Sequence, residues 1–232
     1  LRRDFRAPWK WARHFKDFNA MINYDCLTDL GKRRKLNEDS VFCVTSGTRN
    51  QDMVRDLGLF IVADGMGGHN SGEVASEWAS KIVGLEILKS TMLDEQEPGD
   101  KESTSKRSLL GNILVDAIRK ANSFILNLSR KSAETKDMGT TLVSALVYGQ
   151  NLFVANVGDS RCYLLNEEGI EQISKDHSYV QELVEIGMIT RNEARHHPRR
   201  NEITRCVGYF ANINVDIFQR NLYRGDKVLL CS

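Results

Sequence analysis

The chain reads LFIVADGMGGH over residues 59–69, an apolar run that leads directly into an acidic, glycine-rich turn. The apolar run at 59–63 is typical of a buried strand. Asp64 then places a carboxylate at the strand end, and Gly65 and the glycines after it leave the neighbouring backbone carbonyls open to approach. Hard cations such as Mg²⁺ and Mn²⁺ prefer oxygen ligands of this kind. The turn therefore predicts a strand that ends in an oxygen-rich metal site.

Other carboxylates also lie at predicted strand ends. Glu38 and Asp39 come just before the apolar run at 41–44, and Asp159 lies beside a glycine in VGDSR at 157–161. Each of these groups, like Asp64, can be read as a simple turn former. Carboxylates that converge at the ends of a sheet are, however, how oxygen sites for several metal ions are built. We predict that they share one site with Asp64.

The glycine-rich turn has a second interpretation. GGHNSG at 67–72 has the glycine spacing of a phosphate-cradling loop that opens a helix. That motif continues with Lys and then Ser or Thr, whereas Glu73 and Val74 follow here. Because the carboxylate of Glu73 would repel a phosphate, a nucleoside triphosphate loop is excluded.

Composition limits the class of protein. With 232 residues, 41% of them apolar and 27% charged, the chain can bury a core as one globular domain. A formal charge of +1 gives no reason to expect nucleic acid as a partner. No apolar run approaches the roughly 20 residues of a membrane span. The five cysteines form no C-x-x-C pair, and the first residues lack a secretory core, so we expect reduced thiols and a cytoplasmic location.

Short apolar runs predict strands in two parts of the chain. The runs lie at 41–44, 59–63, 142–147, 152–157 and 162–165, and a polar stretch at 46–56 separates the first two. The turn-prone segment YGQN at 148–151 joins the third and fourth runs as a hairpin. We expect the last run to continue the same sheet, with sequential antiparallel strands.

Helical spacing of apolar residues appears between these groups of strands. It predicts a helix at 74–83, with Ser71 as its N-cap, and a second helix at 110–128 after a charged loop at 94–108. The two helices are expected to form an antiparallel pair. Trp78, on the first helix, is predicted to lie in the core.

Two capping boxes lie further along the chain. Ser178 with Gln181, and Thr190 with Glu193, predict short helices before His197. Strands and helices do not alternate strictly along the chain. This order favours an α+β fold over a doubly wound parallel sheet.

Four motifs in a fixed order carry a resemblance to a known family. They are RKLNEDS at 34–40, DGMGGH at 64–69, MGTTL at 138–142 and VGDSR at 157–161. In this order they resemble the bacterial branch of the type 2C (PPM) metal-dependent serine/threonine protein phosphatases. Segments from DHS at 176–178 to TRCVG at 204–208 are similar to the flap of the bacterial enzymes. The similarity runs from about residue 28 to residue 232.

The resemblance implies an architecture. It is a four-layer sandwich of two antiparallel β-sheets flanked by helices, which agrees with the α+β interpretation. The implied phosphatase domain spans residues 21–232, with a flap at about 174–208. Residues 1–20 form a separate basic and aromatic segment, which we interpret as a short helix that either seeks a surface or packs on the domain.

The resemblance also implies roles for the site residues. Asp64 would bridge two Mn²⁺ or Mg²⁺ ions, the Gly65 carbonyl would bind one of them, Glu38 and Asp39 would ligate directly or through water, and Asp159 would ligate a third, weaker ion. A bridging water would attack phosphorus in line. Arg34 matches the phosphate-binding arginine, whose planar fork suits two phosphoryl oxygens. His69 is a candidate general acid for the departing oxygen.

The implied function is hydrolysis of phosphoserine and phosphothreonine on proteins, the targets of a Ser/Thr kinase, by a cytoplasmic monomer. Family members continue beyond the strand at 228–232 with two aspartates that complete the metal site. We therefore expect this sequence to be a fragment of a longer active chain, truncated at the C-terminus of the domain. The alternative is a catalytically impaired module that binds phosphoprotein partners.

Overall fold

The computed structural model describes residues 22–32, 34, 36–50, 53–67, 71–92, 103–132 and 134–232. The segment at 1–20 lies outside this part of the chain. The elements of the described residues are, in chain order, β1 Asp39–Asn50, β2 Met53–Met66, α1 Gly72–Met92, α2 Ser103–Ser129, β3 Gly139–Thr140, β4 Leu142–Tyr148, β5 Asn151–Val157, β6 Arg161–Asn166, β7 Gly169–Gln172, α3 Tyr179–Glu185, α4 Arg191–His196, β8 Asp216–Asn221 and β9 Lys227–Cys231.

The larger sheet has the order β1-β2-β4-β5-β8, with the short β3 also paired to β2. All of its pairings are antiparallel, and the predicted hairpin of β4 and β5 is confirmed. The expectation that the polar stretch 46–56 separates the first two strands is wrong. Both strands extend into it, with pairing from Asp39 opposite Asp64 to Asn50 opposite Met53. A ladder needs only backbone groups, so polar side chains do not end it.

The smaller sheet consists of β6 between β7 and β9. The expectation that the run at 162–165 continues the first sheet is therefore wrong. The chain turns away after β5 at Gly158, whose φ is +108°, a value that favours glycine. The free edge of β5 pairs instead with β8.

Two apolar cores cover the two faces of the larger sheet. Alternate residues of β2 point to opposite faces, so Leu59 and Ile61 pack against α1 and α2 while Phe60 and Val62 pack toward the smaller sheet. A strand that is covered on both faces reads as one continuous apolar run. This explains why the stretch at 59–63 lacks alternation.

The two long helices form the predicted antiparallel pair. The ring of Trp78 lies 4.9 Å from that of Phe124, and further along α1 Glu86 pairs with Lys120, which comes earlier in α2. The predicted loop at 94–108 extends too far, because α2 begins at Ser103.

The assignment of Trp78 to the core is also wrong. The residue is 40% exposed, whereas Ala75 and Ala79 on the buried face of α1 are fully buried. Apolar residues spaced by three or four positions mark a helix, but the edge of such a stripe remains open to solvent.

The short helices begin where the capping boxes predict. The Thr190 hydroxyl accepts from the Glu193 N–H, and the Glu193 carboxylate accepts from the Thr190 N–H, so this box is complete. The Ser178 hydroxyl accepts from the Gln181 N–H, but the side chain of Gln181 bonds to Glu185 instead.

The prediction of an α+β fold with two antiparallel sheets and flanking helices is confirmed. In the described part of the chain the layers are the α1/α2 pair, the larger sheet and the smaller sheet, which are three of the four expected. No helix among the described residues is long and apolar enough to cross a membrane.

Candidate active site

Asp64 lies near the end of β2, where hydrogen bonds with Thr140 in β3 and with Thr141, the residue before β4, hold its backbone. The Asp64 N–H donates to the hydroxyl of Thr141 at 3.0 Å, and the Asp64 carbonyl accepts from the Thr141 N–H at 2.9 Å. The hydroxyl of Thr140 donates to the same carbonyl at 3.0 Å. These bonds fix the backbone of Asp64 and therefore the point from which its carboxylate extends.

The turn after Asp64 packs directly on the start of α1. A Cβ added to Gly65 would lie 2.0 Å from the Gly72 carbonyl oxygen and 2.7 Å from that of Glu38, so only glycine fits there. The Gly65 N–H donates to the Glu38 carbonyl at 2.9 Å. This close approach places the carboxyl-bearing ends of β1 and β2 beside the N-terminus of α1.

Two carboxylates face each other across these strand ends. Asp39 is the cross-strand partner of Asp64. Burial first and then the charge of Asp39 raise the pKa of Asp64 to about 6, with a weaker contribution from Asp159, while Arg34 opposes the shift. At the other side of the pair, the hydroxyl of Ser232 donates to Asp39 Oδ2 at 3.3 Å. The negative charge of this pair favours a cation.

The positively charged side chain of Arg34 lies beside this pair. Its Nη1 lies 3.3 Å from Glu38 Oε2 and 3.9 Å from Asp64 Oδ1, and its side chain is 58% exposed. The two carboxylates therefore orient a guanidinium group whose other face remains open to solvent.

Asp159 follows Gly158 in the turn between β5 and β6. Burial raises the pKa of Asp159, its own backbone N–H opposes the shift, and the charge of Asp176 adds to it. The hydroxyl of Ser160, the next residue, lies 2.7 Å from that of Thr141, which also bonds Asp64. A hydrogen-bonded connection therefore runs from the Asp64 backbone to the Asp159 turn.

The structure thus brings Arg34, Glu38, Asp39, Asp64 and Gly65 together, with Asp159 close enough to affect the pKa of Asp64. His69 lies outside the described residues. Among the described residues, no group of three or more His, Cys, Asp or Glu side chains is arranged to hold a metal ion. Backbone carbonyls and water would have to complete the coordination, as Mg²⁺ commonly requires.

Comparison of the whole chain with known proteins identifies its family. The family described as Protein phosphatase 2C matches residues 41–213. The chain belongs to the protein phosphatase 2C family. The resemblance seen in the sequence is confirmed by this match, which covers most of the chain.

Relatives within the protein phosphatase 2C family are serine/threonine phosphatases. A serine/threonine phosphatase stp of Listeria monocytogenes is 37% identical over 205 residues, which are 88% of this chain and 74% of that protein. The crystal structure of the Mycobacterium tuberculosis serine/threonine phosphatase PstP/Ppp is similar with a TM-score of 0.66, at 37% identity, over 87% of this chain and 74% of that one.

The family is metal-dependent, and one solved relative contains the metal. The catalytic domain of PstP, in complex with two manganese ions, covers 87% of this chain and 73% of its own at 35% identity, with a TM-score of 0.62. The acidic pair fits a divalent ion by its own chemistry. Both partners supply oxygen ligands, and the pKa of Asp64 is raised by burial and by the charge of Asp39, two effects that a bound cation would offset.

Sequence reasoning assigned no role to Thr141, Ser160 or His177, although all three lie in motifs that carry the family resemblance. Their roles depend on contacts between segments far apart in the chain. The sequence feature that points to these contacts is Gly158, because a glycine beside an acidic residue at a strand end indicates a special backbone conformation.

Two arginines of the predicted flap form ion pairs within the chain. Arg199 pairs with Glu202 and lies 3.6 Å over the ring of Tyr179. Arg205 pairs with Asp216. A groove of about 510 Å³ between α1 and α2 is lined by none of the predicted site residues. It is a surface feature apart from the candidate active site.

Proposed function

We propose that this chain hydrolyses phosphoserine and phosphothreonine esters on proteins, with Mn²⁺ or Mg²⁺ held at the acidic turn. The observation that carries the proposal is the register of Asp39 opposite Asp64, beside the exposed guanidinium of Arg34. This arrangement joins a site for divalent cations to a donor for phosphoryl oxygens. Membership of the protein phosphatase 2C family and the serine/threonine phosphatases among the relatives support it.

The proposed ligand set consists of the side chains of Asp39, Asp64 and Glu38, the carbonyl of Gly65 and, for a third ion, Asp159. When bound, the ions would supply the positive charge that activates a water molecule and neutralises the phosphoryl oxygens. The bonds from Thr140 and Thr141 to the Asp64 backbone keep that carboxylate in place during the reaction.

Arg34 is proposed to bind the phosphoryl group. Its planar fork can donate to two oxygens at once, which a lysine ammonium cannot do with the same geometry. Glu38 and Asp64 hold the fork at 3.3 Å and 3.9 Å. His69 is proposed to deliver a proton to the departing serine or threonine oxygen.

We further propose that residues 21–232 are the phosphatase domain, with a flap at about 174–208, and that the basic and aromatic sequence at 1–20 is a separate N-terminal segment. The substrates are targets of a Ser/Thr kinase, and the protein acts as a monomer in the cytoplasm. The five free thiols suit that reducing compartment.

The test uses the full protein that carries this chain, at pH 7.5. Turnover of p-nitrophenyl phosphate is expected to be absent in EDTA and to return with Mn²⁺ or Mg²⁺. Peptides with phosphoserine and phosphothreonine should be dephosphorylated under the same conditions. Turnover that persists in EDTA would exclude the proposed chemistry. Phosphopeptide binding that survives Asp64→Asn, without turnover by the wild type at any metal concentration, would indicate a binding module instead.

Two arginine-to-lysine variants test phosphate binding by Arg34 without loss of positive charge. Arg34→Lys should raise the KM for p-nitrophenyl phosphate roughly tenfold or more, because the forked donor is lost while the charge remains. Arg220→Lys, in the surface pair with Glu171, is the matched control and should leave KM unchanged. Equal KM values for both variants would show that Arg34 does not bind the phosphoryl group.

A further inference from the structure

His177 is a buried histidine that the proposed chemistry does not use. Its side chain is 2% exposed, and it lies where the predicted flap, the Gly158 turn and β8 meet. Its backbone N–H donates to the Gly158 carbonyl at 2.9 Å, and its carbonyl accepts from the Thr204 N–H at 2.8 Å. The residue is therefore fixed between the turn that carries Asp159 and the end of the flap.

The ring of His177 has a defined tautomer. The N–H of Gly158 donates to its Nδ1 at 3.1 Å, so Nδ1 carries no proton in this arrangement. The proton lies on Nε2, which donates to Asp216 Oδ2 at 3.1 Å. One side of the ring thus bonds to the Gly158 turn and the other side bonds to the first residue of β8.

Arg205 connects this ring to the flap. Its Nη1 donates to Asp216 Oδ1 at 2.8 Å and lies 3.2 Å from Nε2 of His177. Since Nε2 already carries a proton, the guanidinium acts through Asp216. Arg205 and Asp216 therefore hold the ring at its outer nitrogen.

Gly158 is bonded by His177 through both of its backbone polar groups. Its carbonyl also accepts from Asn156 Nδ2 at 3.2 Å. Its φ of +108° is one that other residues rarely adopt. A Cβ there would lie 2.6 Å from Cβ of Thr141. The direction in which the chain enters Asp159 is thus set by the ring of His177 on one side and by Thr141 on the other.

We propose that His177 is a positioning residue for Asp159, and that the Arg205–Asp216 pair makes this position depend on the flap. The inference rests on the proposed function, because it takes Asp159 as a ligand of the weakest divalent ion. Residues that orient a metal ligand commonly change metal affinity by roughly 10- to 100-fold when they are replaced.

The experiment measures Mn²⁺ binding to the full protein by the electron paramagnetic resonance signal of free Mn²⁺, without substrate. Asp159→Ala should abolish the weakest site. His177→Ala should weaken that site about tenfold and leave the tighter sites unchanged. The double variant should bind Mn²⁺ at the tighter sites with the same affinity as Asp159→Ala, since both changes act on one ligand.

His177→Asn is the second variant, in case His177→Ala fails to fold. The Asn oxygen can replace Nδ1 as acceptor for the Gly158 N–H, but it cannot reach Asp216. The His177→Asn protein should bind the weakest Mn²⁺ ion more tightly than the His177→Gln protein. The Gln side chain can reach Asp216 but lacks an acceptor at the place of Nδ1. Arg205→Lys should weaken the same site by a few fold.

Two outcomes would overturn the inference. Equal weakening of all Mn²⁺ sites by His177→Ala would show a general structural role, and unchanged affinity in both His177→Asn and His177→Gln would show no role. If the wild type binds Mn²⁺ and turns over substrate, either outcome removes only the role of His177. A wild type that binds no Mn²⁺ removes the proposed function together with the inference.

Discussion

Asp64 and Asp176 are two partly or fully buried carboxylates with opposite surroundings. Asp176, 9% exposed at its side chain, accepts from Nε of Arg161 at 2.9 Å and from Nε2 of Gln172 at 2.9 Å. Asp64 has its backbone bonded but its carboxylate set against Asp39, with Arg34 only at 3.9 Å. The charge of Asp176 is therefore compensated by neighbouring donors, whereas the carboxylate of Asp64 lies beside another acid.

The difference is the one that we expect between a structural acid and the proposed metal ligand. Burial and the charge of Asp39 raise the pKa of Asp64 to about 6, which means that folding makes its charged form less favourable than it is in water. A protein can retain a buried charge of this kind where a bound ligand compensates for it. Perturbed pKa values therefore concentrate at functional sites. The carboxylate of Asp176 instead accepts hydrogen bonds from Arg161 and Gln172, which lie around it in the folded chain.

The most direct test of this comparison replaces each of the two aspartates by asparagine, which removes its charge. Asp64→Asn should lower the turnover of p-nitrophenyl phosphate by about three orders of magnitude at saturating Mn²⁺, since an ion site is worth several kcal/mol to the transition state. In EDTA its free energy of unfolding in urea should equal or exceed that of the wild type, because a repulsion between carboxylates is removed.

Asp176→Asn is the matched control and should behave in the opposite way. Arg161, 44% exposed, would lose its charged partner, and after allowance for solvent screening the loss in unfolding free energy should be about 1–3 kcal/mol. Its turnover per folded molecule should stay within about tenfold of the wild type. A destabilised Asp64→Asn protein with normal turnover would show that Asp64 is as structural as Asp176.

The sequence allowed the closeness of Asp64 and Asp39 to be predicted because it depends on short-range structure. An acid at the end of an apolar run is visible as a pattern, and its partner is reached by one antiparallel pairing. The place of His177 could not be predicted in this way. Its bonds reach Gly158, Arg205 and Asp216, which no periodicity connects.

A second prediction concerns the backbone of the Asp159 turn. Gly158→Ala should lower the unfolding free energy by about 3 kcal/mol, because strain at its positive φ combines with the contact to Thr141. Gly225→Ala is the control, with a φ of +100° and nothing within 4 Å of its added Cβ. It should lose only the backbone part, about 1 kcal/mol. Both losses are measured by urea denaturation. Equal losses would mean that Thr141 moves aside freely.

The same distinction between near and distant contacts explains the fold. The hairpin of β4 and β5 was predictable because its turn lies between its strands. The place of β6 was not, since it pairs with β9 near the other end of the chain, from Arg161 opposite Cys231 onward. A strand pattern indicates which residues face a core, but it does not indicate which sheet the strand joins.

The smallest expected effect lies at Thr141, whose hydroxyl connects the Asp64 backbone to the Asp159 turn. Thr141→Val keeps the shape of the side chain but leaves the Asp64 N–H and the Ser160 hydroxyl without this partner, which should cost about 1–2 kcal/mol in urea denaturation. Thr141→Ser keeps the hydroxyl and loses only a methyl group, so it should cost about 1 kcal/mol or less. If the valine variant is the more stable of the two, the hydroxyl does not hold the two turns together, and the fixed position of Asp64 must come from strand pairing alone.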